Sequence, residues 1–273
     1  MVDKLLLRFL EEDVGHGDLT TEGVYRGERA RAVVRTKERC VLAGVPFAVR
    51  VFELLGEVKV LKALEEGREC VEGEEVLVLE APACVLLTGE RVALNLLQRM
   101  SGIATLTRDF VKALEGTKTR LLDTRKTTPG MRLFEKHAVR VGGGANHRYA
   151  LYDMVLIKDN HKAVCGSIEE AVRRVREKVS PLCPIEVEVE NLQELQEALR
   201  CGVQVVMLDN FSPQEVREAV KLVEGRAKVE VSGGIGLDNI REYAVEGVDF
   251  VSVGAVTHSA KWVDMSMRLL PLR

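Results

Sequence analysis

The sequence predicts an α/β protein: an N-terminal part built on a largely antiparallel sheet, then a parallel (β/α) barrel of about six or seven strands that stays open. Three observations carry this reading. After Gly116, short apolar runs at 120–124, 154–158, 185–189, 205–209, 228–232 and 249–253 alternate with helix-like segments, the grammar of repeated βα units. The earlier apolar runs lack long helices between them, which favours antiparallel pairing. Only six βα units are clear, too few for a closed eight-stranded barrel.

Taken in order, residues 3–12 have the spacing of a short amphipathic helix, and the glycine-punctuated EDVGHGDLTT follows. His16 lies in that loop with no second histidine at ligand spacing, so no metal site is expected there. Residues 30–42 read as strand and VPFAVRVFELLG as a short helix; residues 58–64 and 76–79 are further strands. Residues 84–114 are strongly helical, with a break expected at Ser101-Gly102. On that helix Arg91, Asn95 and Gln98 fall near one face, with Arg99 adjoining. Such a polar strip fits a solvated face, a domain contact or one wall of a site. The later helices are SIEEAVRRVREKV, NLQELQEALRCG, SPQEVREAVKLVEG and LDNIREYAVEG, several opening on Ser, Asn or Asp and closing in glycine.

With 273 residues, 46% of them apolar and 30% charged, the chain has room for a barrel plus a smaller domain. The expected division is 1–104 for the N-terminal domain with its long helix and 105–259 for the barrel. The tail, 260–273, is expected to pack back on the N-terminal domain. A net charge of −3 argues against a nucleic-acid partner, since such domains are usually basic throughout. No apolar run is long enough to span a bilayer. The first residues are too charged for a secretory signal, which makes a cytoplasmic enzyme the expectation. The six cysteines are scattered without a C-x-x-C pair and read as small buried apolar residues.

The strand ends carry the chemistry. They read DTRK, IKDNH, EVEVE, LDN, EVSGG and VGAVTHS, and in a parallel barrel all such ends meet on one face. Arg125, Lys126, His147, Arg148 and Lys158 form a cationic set, suited to carboxylates or phosphates. Few acids neighbour them in sequence, so their partner is expected to be an anionic ligand. Glu188 and Asp209 form an acidic pair on neighbouring strand ends, placed for Mg²⁺ shared with a polyphosphate or for sugar hydroxyls. Ser232-Gly233-Gly234 and Gly254 present backbone N–H groups where barrels commonly bind phosphate. Gly142-Gly143-Gly144 follows a helix rather than a strand and is not a dinucleotide fingerprint. A Schiff-base role for Lys158, as in a lyase, would leave the other cations unexplained.

The ordered set EEDVGHGDLT, GERVALNLLQRMSGIAT, DTRKTTPGMR, GGGANHR, LIKDNH, EVEVENL, MLDNF, EVSGGI and VGAVTHS resembles the quinolinate phosphoribosyltransferases from about residue 11 to 259. The resemblance implies an N-terminal α/β sandwich before the open barrel, and homodimers or higher oligomers with shared active sites. It implies a pentosyltransferase of NAD biosynthesis: quinolinate and phosphoribosyl pyrophosphate give nicotinate mononucleotide, pyrophosphate and CO₂, with Mg²⁺. By the same resemblance Arg125, His147, Arg148, Lys158 and Arg91 face quinolinate, Lys126 the pyrophosphate, and Glu188 and Asp209 the ribose and metal-linked groups. Ser232, Gly233, Gly254 and His258 take the 5′-phosphate, and Thr124, Gly234, Val253 and Ala255 complete the substrate-binding set. A relative in the same family acting on a different acid would keep similar motifs.

Overall fold

The computed structural model describes residues 1–272. Its strands are β1 (Arg29–Thr36), β2 (Cys40–Val41), β3 (Lys59–Ala63), β4 (Glu69–Cys70), β5 (Glu75–Pro82), β6 (Arg120–Leu122), β7 (Val155–Ile157), β8 (Ile185–Val189), β9 (Val205–Asp209), β10 (Lys228–Ser232), β11 (Phe250–Ser252) and β12 (Met265–Pro271). Two compact units emerge. The first gathers Met1–Arg108, Thr127–Gly143 and the residues from Ser259 onward; the second gathers Asp109–Lys126 and Gly144–His258. The units are therefore not continuous stretches of chain. The segment Thr127–Gly143, placed with the barrel by sequence order, belongs to the first unit.

In the first unit an antiparallel sheet runs β12-β1-β5-β3, with β2 and β4 forming a separate small pair. The last strand explains the position of the tail: Met265 to Pro271 pairs with Thr36 to Ala30. Central β5 buries Val76, Leu77, Val78 and Leu79. Edge strand β3 is exposed throughout, and Lys59 and Lys62 make that edge a poor template for further pairing. The helices Val2–Val14, Val45–Leu55 and Arg132–Gly142 meet through Phe9, Phe47 and Phe134, with Phe47 and Phe134 in edge contact at 5.0 Å.

The long helix Ala83–Ala113 runs unbroken through Ser101-Gly102, contrary to the break expected there. Glycine in a helix costs roughly 1 kcal/mol against alanine, but here tertiary contacts outweigh that cost. A side chain on Gly102 would strike the Lys261 carbonyl oxygen, so the bare backbone admits the C-terminal segment. Ser101 Oγ donates to the Ala43 carbonyl at 3.2 Å and accepts from the Ala43 N–H at 3.0 Å.

The second unit is a six-stranded parallel sheet in the order β6-β11-β10-β9-β8-β7. β6 and β7 are its two edges, so the ring of strands does not close through them. Ala145 makes a one-residue parallel bridge to Leu122 on the free side of β6, a rudimentary seventh strand. Helices Ile168–Arg176, Leu192–Arg200 and Pro213–Val223 follow strands, each N-capped as the sequence suggests, by Ser167, Asn191 and Ser212. The segment LDNIREYAVEG forms only the single turn Ile240–Tyr243. Its Asn239 side chain instead accepts from the Gly236 N–H and donates to the Gly234 carbonyl, closing a loop. Three short helices were not foreseen: Leu19–Val24 (capped by Asp18), Asp159–Cys165 and the one-turn Ala255–His258. Only Cys40 and Cys70 of the six free cysteines are buried; the other four border solvent. No described helix is long and apolar enough to cross a membrane.

Candidate active site

Within the second unit, the C-terminal ends of the parallel strands place Lys158, Glu188, Asp209 and Ser232 along one rim. Lys158 follows β7, Glu188 is the fourth residue of β8, and Asp209 and Ser232 close β9 and β10. The parallel register puts Asp209 opposite Ser232. Strand alternation then decides which side chains share the barrel interior.

The Lys158 ammonium is hydrogen-bonded to the Glu188 carboxylate, which is almost wholly buried. Asp209 is half-buried, and its carboxyl is pushed up first by burial and then by the Glu188 charge, while Lys158 and Lys126 pull it down. Two acids at this spacing repel each other and favour a cation between or beside them.

The turn after β6 carries Thr124, Arg125 and Lys126. Thr124 Oγ1 accepts from the Lys126 N–H at 3.0 Å, which curls the chain and leaves Lys126 exposed. The Lys126 carbonyl in turn accepts from Thr257 Oγ1 at 2.9 Å. Arg148 is half-buried; its guanidinium charge is opposed first by burial and then by Arg125, and is supported by Glu186. Arg148 also donates to the Met154 carbonyl at 3.2 Å. Two guanidinium charges that oppose one another suit a multiply charged anion.

Gly233 and Gly254, after β10 and β11, sit where a side chain has little room. Gly233 has φ 94°, and a Cβ there would collide with Asn210. At Gly254 a Cβ would crowd Lys126 Cδ at 3.0 Å and His258 Nε2 at 3.1 Å. Gly234 and His258 are exposed, while Ala255 is half-buried at the start of the turn Ala255–His258. Val253 differs: its side chain is 2% exposed and its N–H donates to the Leu122 carbonyl at 3.0 Å. Only its carbonyl is left to meet a ligand.

His147 departs most from expectation. It does not join the cations at the rim. Its ring enters the barrel interior, with Nε2 3.0 Å from Glu186 Oε2 and 3.6 Å from Glu230 Oε2. Nδ1 accepts the Arg148 N–H at 2.7 Å. Its own N–H donates to Asp123 Oδ1 at 2.8 Å, and the Asn146 amide to Asp123 Oδ2 at 2.7 Å. The idea that the cations lack acidic neighbours is thus corrected for Lys158 and His147, whose acids come from strands distant in sequence. Glu186 and Glu230 escaped the sequence reading; the signal was acids inside the strand runs IEVEV and KVEVS, which leaves them no solvent.

Arg91 lies in the first unit. It lines a cavity of about 360 Å³ with Asn95, Arg99, Thr128, Glu135 and Trp262. Gln98 takes no part there, because its amide donates to the Met265 carbonyl at 3.1 Å. The polar strip therefore splits between a cavity wall and an internal contact.

An open parallel barrel whose rim sets lysines and arginines against a carboxylate pair and a glycine loop defines an enzyme class that handles phosphorylated and carboxylated small molecules. Comparison with known proteins narrows the class. Residues 18–101 match the quinolinate phosphoribosyl transferase N-terminal domain, and residues 103–268 match the C-terminal domain. The chain belongs to the quinolinate phosphoribosyltransferase family. It is 44% identical over 265 residues to a probable nicotinate-nucleotide pyrophosphorylase (carboxylating) of Bacillus subtilis, covering 97% of this chain and 92% of that protein. It is 45% identical over 277 residues to the Methanocaldococcus jannaschii protein of the same description, covering 98% and 96%. The solved structure of NadC from Streptococcus pyogenes superposes with a TM-score of 0.94 at 41% identity, covering 100% of this chain and 97% of that one.

Proposed function

We propose that this chain transfers the phosphoribosyl group of phosphoribosyl pyrophosphate to quinolinate with loss of CO₂, giving nicotinate mononucleotide and pyrophosphate for NAD synthesis. The observation that carries it is the rim itself, where Arg125 and Arg148 are held together against their own repulsion while Glu188 and Asp209 lie on neighbouring strands. Quinolinate supplies the two carboxylates that a pair of guanidiniums requires; Lys158, once exchanged from Glu188, adds a third positive contact. Lys126 faces the pyrophosphate, Glu188 and Asp209 the ribose hydroxyls. The turn Ser232-Gly233-Gly234 with Gly254, Ala255 and His258 takes the 5′-phosphate.

These groups act by fixed charge rather than covalent attack. As the bond between ribose and pyrophosphate weakens, Glu188 and Asp209 stabilise the positive charge developing on the sugar, and Lys126 the negative charge on the leaving group. Arg125 and Arg148 hold the pyridine ring so that its nitrogen faces the reacting carbon. The acidic pair suits Mg²⁺, since Asp209 is raised partly by the Glu188 charge and a cation would relieve it. Glu188 and Asp209 are the residues that would hold the ion, which would neutralise charge on the departing pyrophosphate.

The protein acts in the cytoplasm on this reading; the unpaired Cys40 and Cys70, opposite one another in β2 and β4, suit a reducing compartment. Each site is completed by a second copy of the chain, whose Arg91 reaches quinolinate. The decisive assay incubates the protein with phosphoribosyl pyrophosphate, Mg²⁺ and either quinolinate or nicotinate. Nicotinate leaves part of the cationic cluster without an anion, so its kcat/KM should be lower by orders of magnitude. Comparable values for the two acids would overturn the assignment.

A further inference from the structure

The interior of the barrel holds three ionisable side chains that the proposed chemistry does not use directly: His147, Glu186 and Glu230. One ligand-type atom from each lies within 4.8 Å of the others. Glu186 is fully buried and Glu230 is 2% exposed. Neither Glu186 oxygen has a hydrogen-bond partner among the described residues, although the imidazole Nε2 lies 3.0 Å from Oε2. Two carboxylates cannot both stay ionised at this spacing in a dry interior, because neither burial nor repulsion is offset. A proton held on Glu230 relieves the conflict.

The direction of the imidazole says what that charge does. Nδ1 accepts the Arg148 N–H, so in the neutral ring the hydrogen sits on Nε2, the nitrogen 3.0 Å from Glu186 Oε2. The Arg148 backbone is thus tied through the ring to the carboxylate pair. Glu186 also supports the Arg148 charge against Arg125. Alternation places Glu186 one inward step below Glu188 on β8, and Glu230 one inward step below Ser232 on β10.

We infer that Glu186 and Glu230 are positioning residues: they anchor the His147 ring and, through it, set Arg148 beside Arg125 for the dianionic substrate. They touch no substrate themselves. The groups facing Glu230 are Glu186 from β8, His147 from the turn and Ser252 from β11. Burial first, then the Glu186 charge, pushes the Glu230 carboxyl up to about 8, while His147 and Ser252 pull it down. Above that pH a second negative charge appears under the arginines and competes with quinolinate for them.

The kinetic part of the test rests on the proposed activity. Glu186→Leu removes the acceptor and the charge, and Glu186→Gln removes only the charge. Quinolinate KM should rise in the order wild type, Glu186→Gln, Glu186→Leu, by about tenfold or more at the end of the series, with phosphoribosyl pyrophosphate KM within about threefold throughout. Glu230→Gln should leave quinolinate KM at pH 7 within about threefold and abolish the rise that wild type shows between about pH 7 and pH 9. Equal changes in both KM values, no change in either, or an alkaline rise that survives in Glu230→Gln would overturn the inference. So would about one bound metal ion per chain that both glutamine variants lose, since the triad would then be a metal centre. If Glu186→Leu does not fold, the two glutamine variants carry the test. The His147 ring ¹⁵N resonances give a readout independent of turnover: the Nε2–H tautomer is expected in wild type and in Glu186→Gln, with the Nε2 resonance shifted in the variant by loss of the carboxylate charge. Failure of wild type to use quinolinate would refute the proposed activity and leave that readout standing; an undisturbed ring would refute the triad alone.

Discussion

Lys158 and Glu188 are hydrogen-bonded across the ends of the neighbouring strands β7 and β8, and this pair tunes Asp209 on the next strand. Burial raises Asp209 first and the Glu188 charge second, whereas Lys158 lowers it. Glu188→Gln should therefore move the acid limb of kcat/KM for phosphoribosyl pyrophosphate to lower pH, and Lys158→Ala should move it to higher pH. A pH–rate profile of each variant checks the signs; shifts in the same direction would show that Asp209 does not govern the limb.

The two halves of the rim should separate by ligand. Arg148→Ala should weaken quinolinate binding by about 1.5–3 kcal/mol, the worth of a charge-assisted contact, with little effect on phosphoribosyl pyrophosphate. Asp209→Asn should show the opposite preference. Isothermal titration of each variant with each ligand decides, and matched losses would deny the division of labour.

Glu230 predicts a pH dependence of stability. Its folded carboxyl sits near 8 against an ordinary 4.5, so the folded state holds a proton that the unfolded state has released between those values. Its contribution to stability is fully present below about pH 4.5 and is lost as pH rises through about 8. Urea unfolding at intervals from pH 5 to pH 9 should show this decline in wild type and a flatter profile in Glu230→Gln.

Arg99 and Glu135 form a buried pair in the first unit, with two hydrogen bonds of 3.0 and 2.8 Å to one carboxylate oxygen. Glu135 also accepts from the Thr128 N–H and hydroxyl. Removing one partner, as in Glu135→Ala, should cost about 3–5 kcal/mol because a buried charge is left behind. The double change Arg99→Met, Glu135→Leu should cost less than the sum of its parts, measured by denaturant midpoint.

Arg91 tests the shared site. If it completes a neighbouring copy's barrel, Arg91→Ala and Arg125→Ala chains refolded together should recover about a quarter of wild-type activity, since half the random dimers are mixed and each holds one intact site. No recovery despite chain exchange verified by mass would mean that each site is built within one chain.

The sequence alone determined the six parallel strands, three to the residue and three within two residues, because each is a short apolar run bounded by charge and glycine. It also determined the capped helices at Ser167, Asn191 and Ser212, where a side-chain oxygen meets a neighbouring N–H, and the rim residues Lys158, Glu188, Asp209 and Ser232. These are local signals: a strand end is marked by where apolar residues stop. Pairing between distant segments was left to the tertiary structure. It carried the helix through Gly102 by bringing Lys261 against it, folded Thr127–Gly143 into the first unit, and turned His147 inward between two glutamates. Glu186 and Glu230 lie 44 residues apart in the chain, and neither can be told from a surface acid until the barrel removes the water around both. The raised Glu230 carboxyl is a consequence of that burial, which no local pattern records.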